Sequence, residues 1–149
     1  MGTPPAVEVR LAGPDDAGDA ARLLHDFNTE FGEATPGAEK LAERLRELWT
    51  QGDTVVLLAG TPAVGVAVMR LRLSIWTAGR ECYLAELYVE PGRRGQGVGR
   101  ALMTRVLEIA REQGADWIEL NSDEDDTAAR ALYESLGFEK TAYYYELEL

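Results

Sequence analysis

The stretch Glu86-Leu87-Tyr88-Val89-Glu90-Pro91-Gly92-Arg93-Arg94-Gly95-Gln96-Gly97-Val98-Gly99-Arg100 decides how the rest of this chain reads. It starts as a strand, turns at Pro91-Gly92, passes through a basic glycine-rich loop and enters a helix. The helix follows from Val98, Leu102, Val106, Ile109 and Ala110, which recur on one face at helical spacing. Gly95, Gly97 and Gly99 sit where the loop becomes that helix. Glycines there let a ligand approach the backbone and expose N–H groups at the positive end of the helix dipole. Arg93, Arg94 and Arg100 crowd the same spot. Such a site calls for a dianion, most naturally a pyrophosphate.

The glycine spacing argues against two common phosphate loops. Counted from Gly95 and Gly97, a G-x-G-x-x-G dinucleotide fingerprint would need its third glycine at Arg100, although Glu119 lies at about the ribose-binding distance. A P-loop fails because no Gly-Lys-Ser/Thr follows. A nucleotide-binding module is therefore disfavoured, and a glycine-rich turn with solvated arginines is the bland alternative.

Length and composition set the bounds. The 149 residues suit one domain, 1–149, with a real core. No leading apolar segment or membrane-length run is present, so a cytoplasmic protein without a membrane partner is expected. Cys82 is the one cysteine and reads as a packing residue; with the one histidine, His25, distant from it, no metal site is expected. A formal net charge of −11 disfavours nucleic acid and favours a cationic partner. Against that background the arginines around the glycine loop concentrate positive charge where one anion would bind.

Along the chain, Ala6 to Ala12 alternates like a half-buried strand, and Asp15 or Asp16 can cap a helix carrying Ala17, Ala20, Leu24, Phe27 and Phe31. Thr35-Pro36 reads as the start of a second helix with Ala38, Leu41, Leu45 and Leu48 inward, ended by Gly52. Strands follow over Thr54–Gly60, Ala63–Leu73 and Glu81–Val89, with Ser74–Gly79 as an exposed connection. After the long helix, closed by Gly114, come a strand over Trp117–Leu120 and a helix behind the acidic run Asp123–Asp126, stopped by Gly137. Phe138–Thr141 and Tyr143–Leu149 read as two closing strands.

The loop resembles the coenzyme A loop, Q/R-x-x-G-x-G/A, of the GNAT superfamily of acyl-CoA-dependent N-acyltransferases, with Arg94, Gly97 and Gly99 in the matching positions. A second block, Asp126 to Phe138, resembles the family's N-x-x-A-x-x-L-Y-x-x-x-G-F: Ala129, Leu132, Tyr133, Gly137 and Phe138 are in register, while Asp126 replaces the asparagine. The element order β-α-α-β-β-β-α-β-α-β-β is similar to that family along nearly the whole chain. The resemblance implies an α/β (α+β) fold with a central mixed, mostly antiparallel sheet flanked by helices, and a bacterial-like acetyltransferase. It implies acetyl-CoA as cofactor, its pyrophosphate on Arg94, Gly95, Gln96, Gly97, Val98, Gly99 and Arg100. The pantetheine arm would pair with the backbone of Leu87, Tyr88 and Val89, and Asp126, Ala129 and Tyr133 would complete the site. A strand break there would leave an N–H for the thioester oxygen, but the sequence shows no sign of one.

Transfer to an amine requires removing an ammonium proton, stabilising an oxyanion and protonating a thiolate. The resemblance assigns the last task to Tyr133, against the alternative of a tyrosine packed on the sheet. Glu86 is the candidate for the amine proton, because it interrupts the apolar strand Tyr83–Val89 where an unpaired carboxylate is costly. An ion pair with Arg70 or Arg72, or a solvated edge position, would explain it equally well. Asn28, Phe31 and Trp76 lie in segments that flank the acceptor cleft in similar proteins. The expected acceptor is a small cationic amine; a lysine or N-terminal amine of a protein, and a non-catalytic acyl-CoA binder, are the alternatives. A homodimer is compatible with the reading.

Overall fold

The computed structural model describes residues 7–149 and divides into two compact units, Met1–Glu119 and Leu120–Leu149. In the first unit the order is β1 (Val9–Leu11), α1 (Ala17–Glu30), α2 (Ala38–Gln51), β2 (Thr54–Ala59), β3 (Gly65–Leu73), β4 (Arg80–Val89), α3 (Val98–Glu112) and β5 (Ala115–Glu119). The strands form one sheet in chain order, antiparallel from β1 to β4 and parallel between β4 and β5. That parallel step requires a crossover, which α3 supplies.

The two sheet faces bury different helices. Val56 and Leu58 of β2, Val66 and Val68 of β3 and Tyr88 of β4 share a core with Ala20, Leu23, Ala42 and Leu45 of α1 and α2. The alternate residues, including Leu57, Met69, Cys82 and Leu84, are buried as well, as are Val98, Leu102, Met103, Val106, Ile109 and Ala110 of α3. Every residue of the α3 stripe expected from the spacing is thus in the core. Burial pushes the Cys82 thiol up to about 11, as suits a packing residue.

Gly65 shows how closely α3 sits on β3. A Cβ there would lie 3.0 Å from both Leu102 Cδ1 and Val98 Cγ1. Gly65→Val should therefore destabilise the protein by about 1–3 kcal/mol through overpacking. Chemical denaturation checks this, and an unchanged midpoint would mean that α3 shifts freely.

Several boundaries differ from the sequence reading. Ala6 lies outside the described residues, and the first strand is confined to β1. Asp16 precedes α1 without capping it by its side chain; its carboxylate accepts from Gly13 N–H at 2.9 Å and meets Arg10 at 3.2 Å. The second helix starts at Ala38 behind Gly37, not at Pro36, because Thr35 Oγ1 accepts locally from Gly37 N–H and Gly37 turns the chain at φ 97°. His25 Nδ1 lies 3.1 Å from the same hydroxyl, a structural contact.

In the second unit, α4 (Thr127–Ser135) is the regular element. The two closing strands expected over Phe138–Thr141 and Tyr143–Leu149 are not formed: those residues have no strand structure, and Tyr143 is 86% exposed. Alternating apolar residues describe the faces a strand would have, whereas the ladder itself needs a neighbouring edge.

Candidate active site

β4 organises the site through an irregularity. Val68 lies opposite Glu86 but Met69 lies opposite Leu84, so Ala85 is an extra residue on β4. Nothing in the residue types around Ala85 announces this bulge. It turns Glu86 onto the face of Val68 and Tyr88, the α1 and α2 side of the sheet. Pairing with β5 ends nearby, at Tyr83 and Glu119. From Leu84 onward, among the described residues, β4 pairs with β3 alone. Glu90 N–H donates to Val64 O at 2.9 Å, which sets the phase: Tyr88 also directs its backbone groups to β3, and Leu87 and Val89 direct theirs to the open side. An extended ligand can add there as a further strand.

The open edge leads straight into the glycine loop. Pro91–Arg93 forms one tight turn, then Gly95 at φ 74° and Gly97 at φ 85° reverse the chain into α3. Both are left-handed conformations that a side chain disfavours, and a Cβ at either position would meet nothing within 4 Å. Gly97 is the residue before the helix and has no capping side chain, and the first turn of α3 holds no acidic residue. The first turn of α3 thus receives no side-chain acceptor from its N-cap, and a Cβ at Gly95 or Gly97 would point into open space. This arrangement fits a pyrophosphate. Arg100 is exposed in that first turn. Gln96 is engaged inside the loop, accepting from Arg93 Nε at 3.2 Å and donating to Gly92 O at 3.3 Å.

Arg94 braces this loop from outside. Its Nε donates to Val89 O at 2.9 Å and its Nη2 to Glu30 Oε1 at 2.8 Å. The same Glu30 oxygen accepts from the Tyr88 hydroxyl at 2.9 Å, and the Arg94 guanidinium lies 5.5 Å from the centre of the Tyr88 ring. The hydrogen bond from Arg94 holds the Glu30 carboxyl below its ordinary value, and burial together with Glu30 pushes Tyr88 up to about 12. Tyr88 therefore points its side chain at α1 and away from the open edge. Arg22 ties the other side together, donating to Asp19 at 2.6 Å, to Ala63 O at 2.7 Å and to Glu90 at 2.9 Å. Nothing local in the sequence marks Glu30 or Arg22, because their partners lie 64 and 68 residues away.

Glu86 makes no hydrogen bond or ion pair among the described residues. Arg72, a partner the sequence offers for it, is bound to Glu81 at 2.7 Å and lies 3.8 Å from Glu119. Burial raises the pKa of the Glu86 carboxyl. A half-buried, unpaired carboxylate beside a bulge is suited to take up a proton or an ammonium group.

In the second unit, the residues around Tyr133 build a helix and its end. Asp126 is the N-cap of α4, its Oδ1 accepting from Ala129 N–H at 3.1 Å. At the far end Phe138 N–H donates to Tyr133 O and Gly137 N–H to Glu134 O, both at 3.1 Å, with Gly137 at φ 96°. This is a Schellman motif, and its usual apolar contact is the Tyr133–Phe138 ring pair, 5.9 Å between centroids. The spacing of tyrosine, glycine and phenylalanine is thus accounted for by helix termination. The Tyr133 hydroxyl takes no part in it. Burial, with the Asp126 charge adding to it, pushes the phenol up to about 12.

The candidate acceptor residues separate. Asn28 Nδ2 donates to Ala34 O at 2.8 Å and shapes the chain after α1. Phe31 is 53% exposed and packs edge-on against Phe27, which stacks on Tyr88. Trp76, 87% exposed, lies at the β3–β4 hairpin tip, roughly 25 Å along β4 from Tyr88 and so not beside Phe31. Among the described residues no helix is long and apolar enough to cross a membrane, and no cluster could hold a metal ion.

The sequence pattern of the Acetyltransferase (GNAT) family matches residues 20–138. The crystal structure of a candidate acetyltransferase from Arthrobacter sp. FB24 aligns with a TM-score of 0.87, at 43% identity and with 100% of each chain covered. Mycothiol acetyltransferase of Beutenbergia cavernae is 40% identical over 75 residues, 48% of this chain and 25% of that protein. Thialysine N-epsilon-acetyltransferase of Bos taurus is 28% identical over 144 residues, with 88% of this chain and 83% of that protein covered. The chain therefore spans a quarter of the first relative and most of the second.

Proposed function

Because the chain belongs to the acetyltransferase (GNAT) family, we propose that it moves an acetyl group from acetyl-CoA to the primary amine of a small cationic acceptor by direct attack in a ternary complex. The observation that carries this reading is the one-sided edge of β4 running into the uncapped, glycine-lined start of α3. Acetyl-CoA supplies the acyl group as an activated thioester. Leu87 offers its backbone groups and Val89 its N–H to the extended arm, and the amides following Gly97, with Arg100, take the pyrophosphate. Arg94 holds the loop against β4 and α1, so its contribution includes positioning. Glu86 receives the amine proton, directly or through a water, and Tyr133 returns a proton to the departing thiolate. An unpaired Glu86 and the net charge of −11 both favour a cationic acceptor.

The test is thiol release from acetyl-CoA across an amine panel, with binding measured by calorimetry. Gly97→Val places a branched side chain in a left-handed conformation at the phosphate contact, at a strain of about 1–2 kcal/mol. It should abolish measurable acetyl-CoA binding while most of the fold survives. Unchanged affinity in that variant would remove the basis of the reading. Tight binding with no thiol release from any amine would instead make the protein an acyl-CoA binder.

A further inference from the structure

We propose that the acceptor carries a carboxylate as well as its amine, and that Arg70 binds it. This deepens the acetyl-transfer reading and rests on it. Along β3, the sheet face that holds Glu86 changes from Val66 and Val68 to Arg70 and Arg72. Arg72 is already neutralised by Glu81 and Glu119. Arg70 is not. It lies opposite Thr54 on β2 and Tyr83 on β4, it makes no hydrogen bond or ion pair among the described residues, and its Nε is buried without a partner.

A guanidinium stays protonated and presents a planar fork of donors matched to a carboxylate. The buried Nε is enclosed by the protein, whereas the two Nη groups are not buried and have no partner among the described residues, so they are the donors a ligand carboxylate would meet. Glu86, opposite Val68, stands one row away on the same face of the sheet, diagonal to Arg70 across the Ala85 bulge. An ammonium at Glu86 and a carboxylate at Arg70 would be joined by a few methylenes. That is the chemistry of an amino acid with a side-chain amine. A diamine of the same length carries the same second ammonium without the carboxylate that would offset it beside Arg70.

Rates with saturating acetyl-CoA should be compared for lysine against cadaverine and for ornithine against putrescine, each pair differing by the carboxylate. The wild-type protein should favour the amino acid in kcat/KM by about 10-fold or more. Arg70→Gln should lower kcat/KM for the amino acid about 10- to 100-fold, mainly through KM, and raise it for the diamine by removing a repelling charge. Arg70→Lys, which keeps the charge without the fork, should recover part of the preference. A residue that merely supports the sheet would lower both substrates together. Equal kcat/KM within each pair for the wild-type protein, or an equal loss for both substrates in Arg70→Gln, overturns the carboxylate assignment and leaves acetyl transfer standing. Absence of thiol release from every amine by the wild-type protein overturns acetyl transfer itself, and this inference with it.

Discussion

Tyr133→Phe should lower kcat by about 10²-fold while acetyl-CoA affinity and thermal stability stay close to those of the unmodified protein. The ring of Tyr133 makes the apolar contact with Phe138 that closes α4, and phenylalanine keeps it. The hydroxyl makes no hydrogen bond among the described residues, so its loss leaves no structural partner stranded. With the phenol pushed up to about 12, it stays protonated across the working range and is available as an acid. Ionisation of Tyr133 would then impose a falling limb on the activity profile only near that value. Single-turnover measurements isolate the chemical step. A normal rate for that step in Tyr133→Phe would return the residue to helix termination alone. Tyr133→Ala is the useful contrast, because it removes the ring contact and should cost stability as well.

Glu86→Gln should reduce turnover at neutral pH on the order of 10²-fold and regain part of the rate as the medium becomes alkaline. Glutamine keeps the shape of the side chain but cannot take the proton, and free amine becomes abundant only at high pH. Because burial raises the carboxyl's pKa, the rising limb of the wild-type profile should lie above the ordinary carboxylate range. The same shift fixes the sign of the stability effect. A carboxyl with a raised folded-state pKa binds its proton more tightly when folded, so stability falls as pH rises from the unfolded pKa to the folded one. Above that window the ionised Glu86 is a standing cost. Glu86→Gln should therefore raise Tm at neutral pH, with the gain vanishing at a pH where the carboxyl is protonated. A constant ratio of mutant to wild-type turnover from about pH 6 to 10, at saturating amine, counts against Glu86 as the base. A raised acceptor KM with an unchanged profile would make it an ammonium-binding residue instead.

Local periodicity and turn chemistry determined a large share of this protein. The α3 stripe from Val98 to Ala110, the Gly52, Gly114 and Gly137 helix ends and the glycine loop all follow from rules that span a few residues, and the structure has each in place. The same kind of rule overreached at Thr35-Pro36, where a local hydroxyl bond delays the helix, and at Tyr143–Leu149, where alternation occurs without a ladder. Tertiary structure decided what depends on register. The extra residue at Ala85 exists only relative to Met69 and Val68 on the next strand, and the one-sided edge of β4 only because β5 stops pairing at Tyr83. Glu30, Tyr88 and Arg94 share one carboxylate oxygen across a sequence separation of 64 residues. Whether Glu86 and Arg70 stand unpaired beside a neutralised Arg72 is likewise settled by which strand lies next to which. Residue types set the charges and conformational preferences available, but a charge acquires a partner, or lacks one, only when distant segments come within a few ångströms.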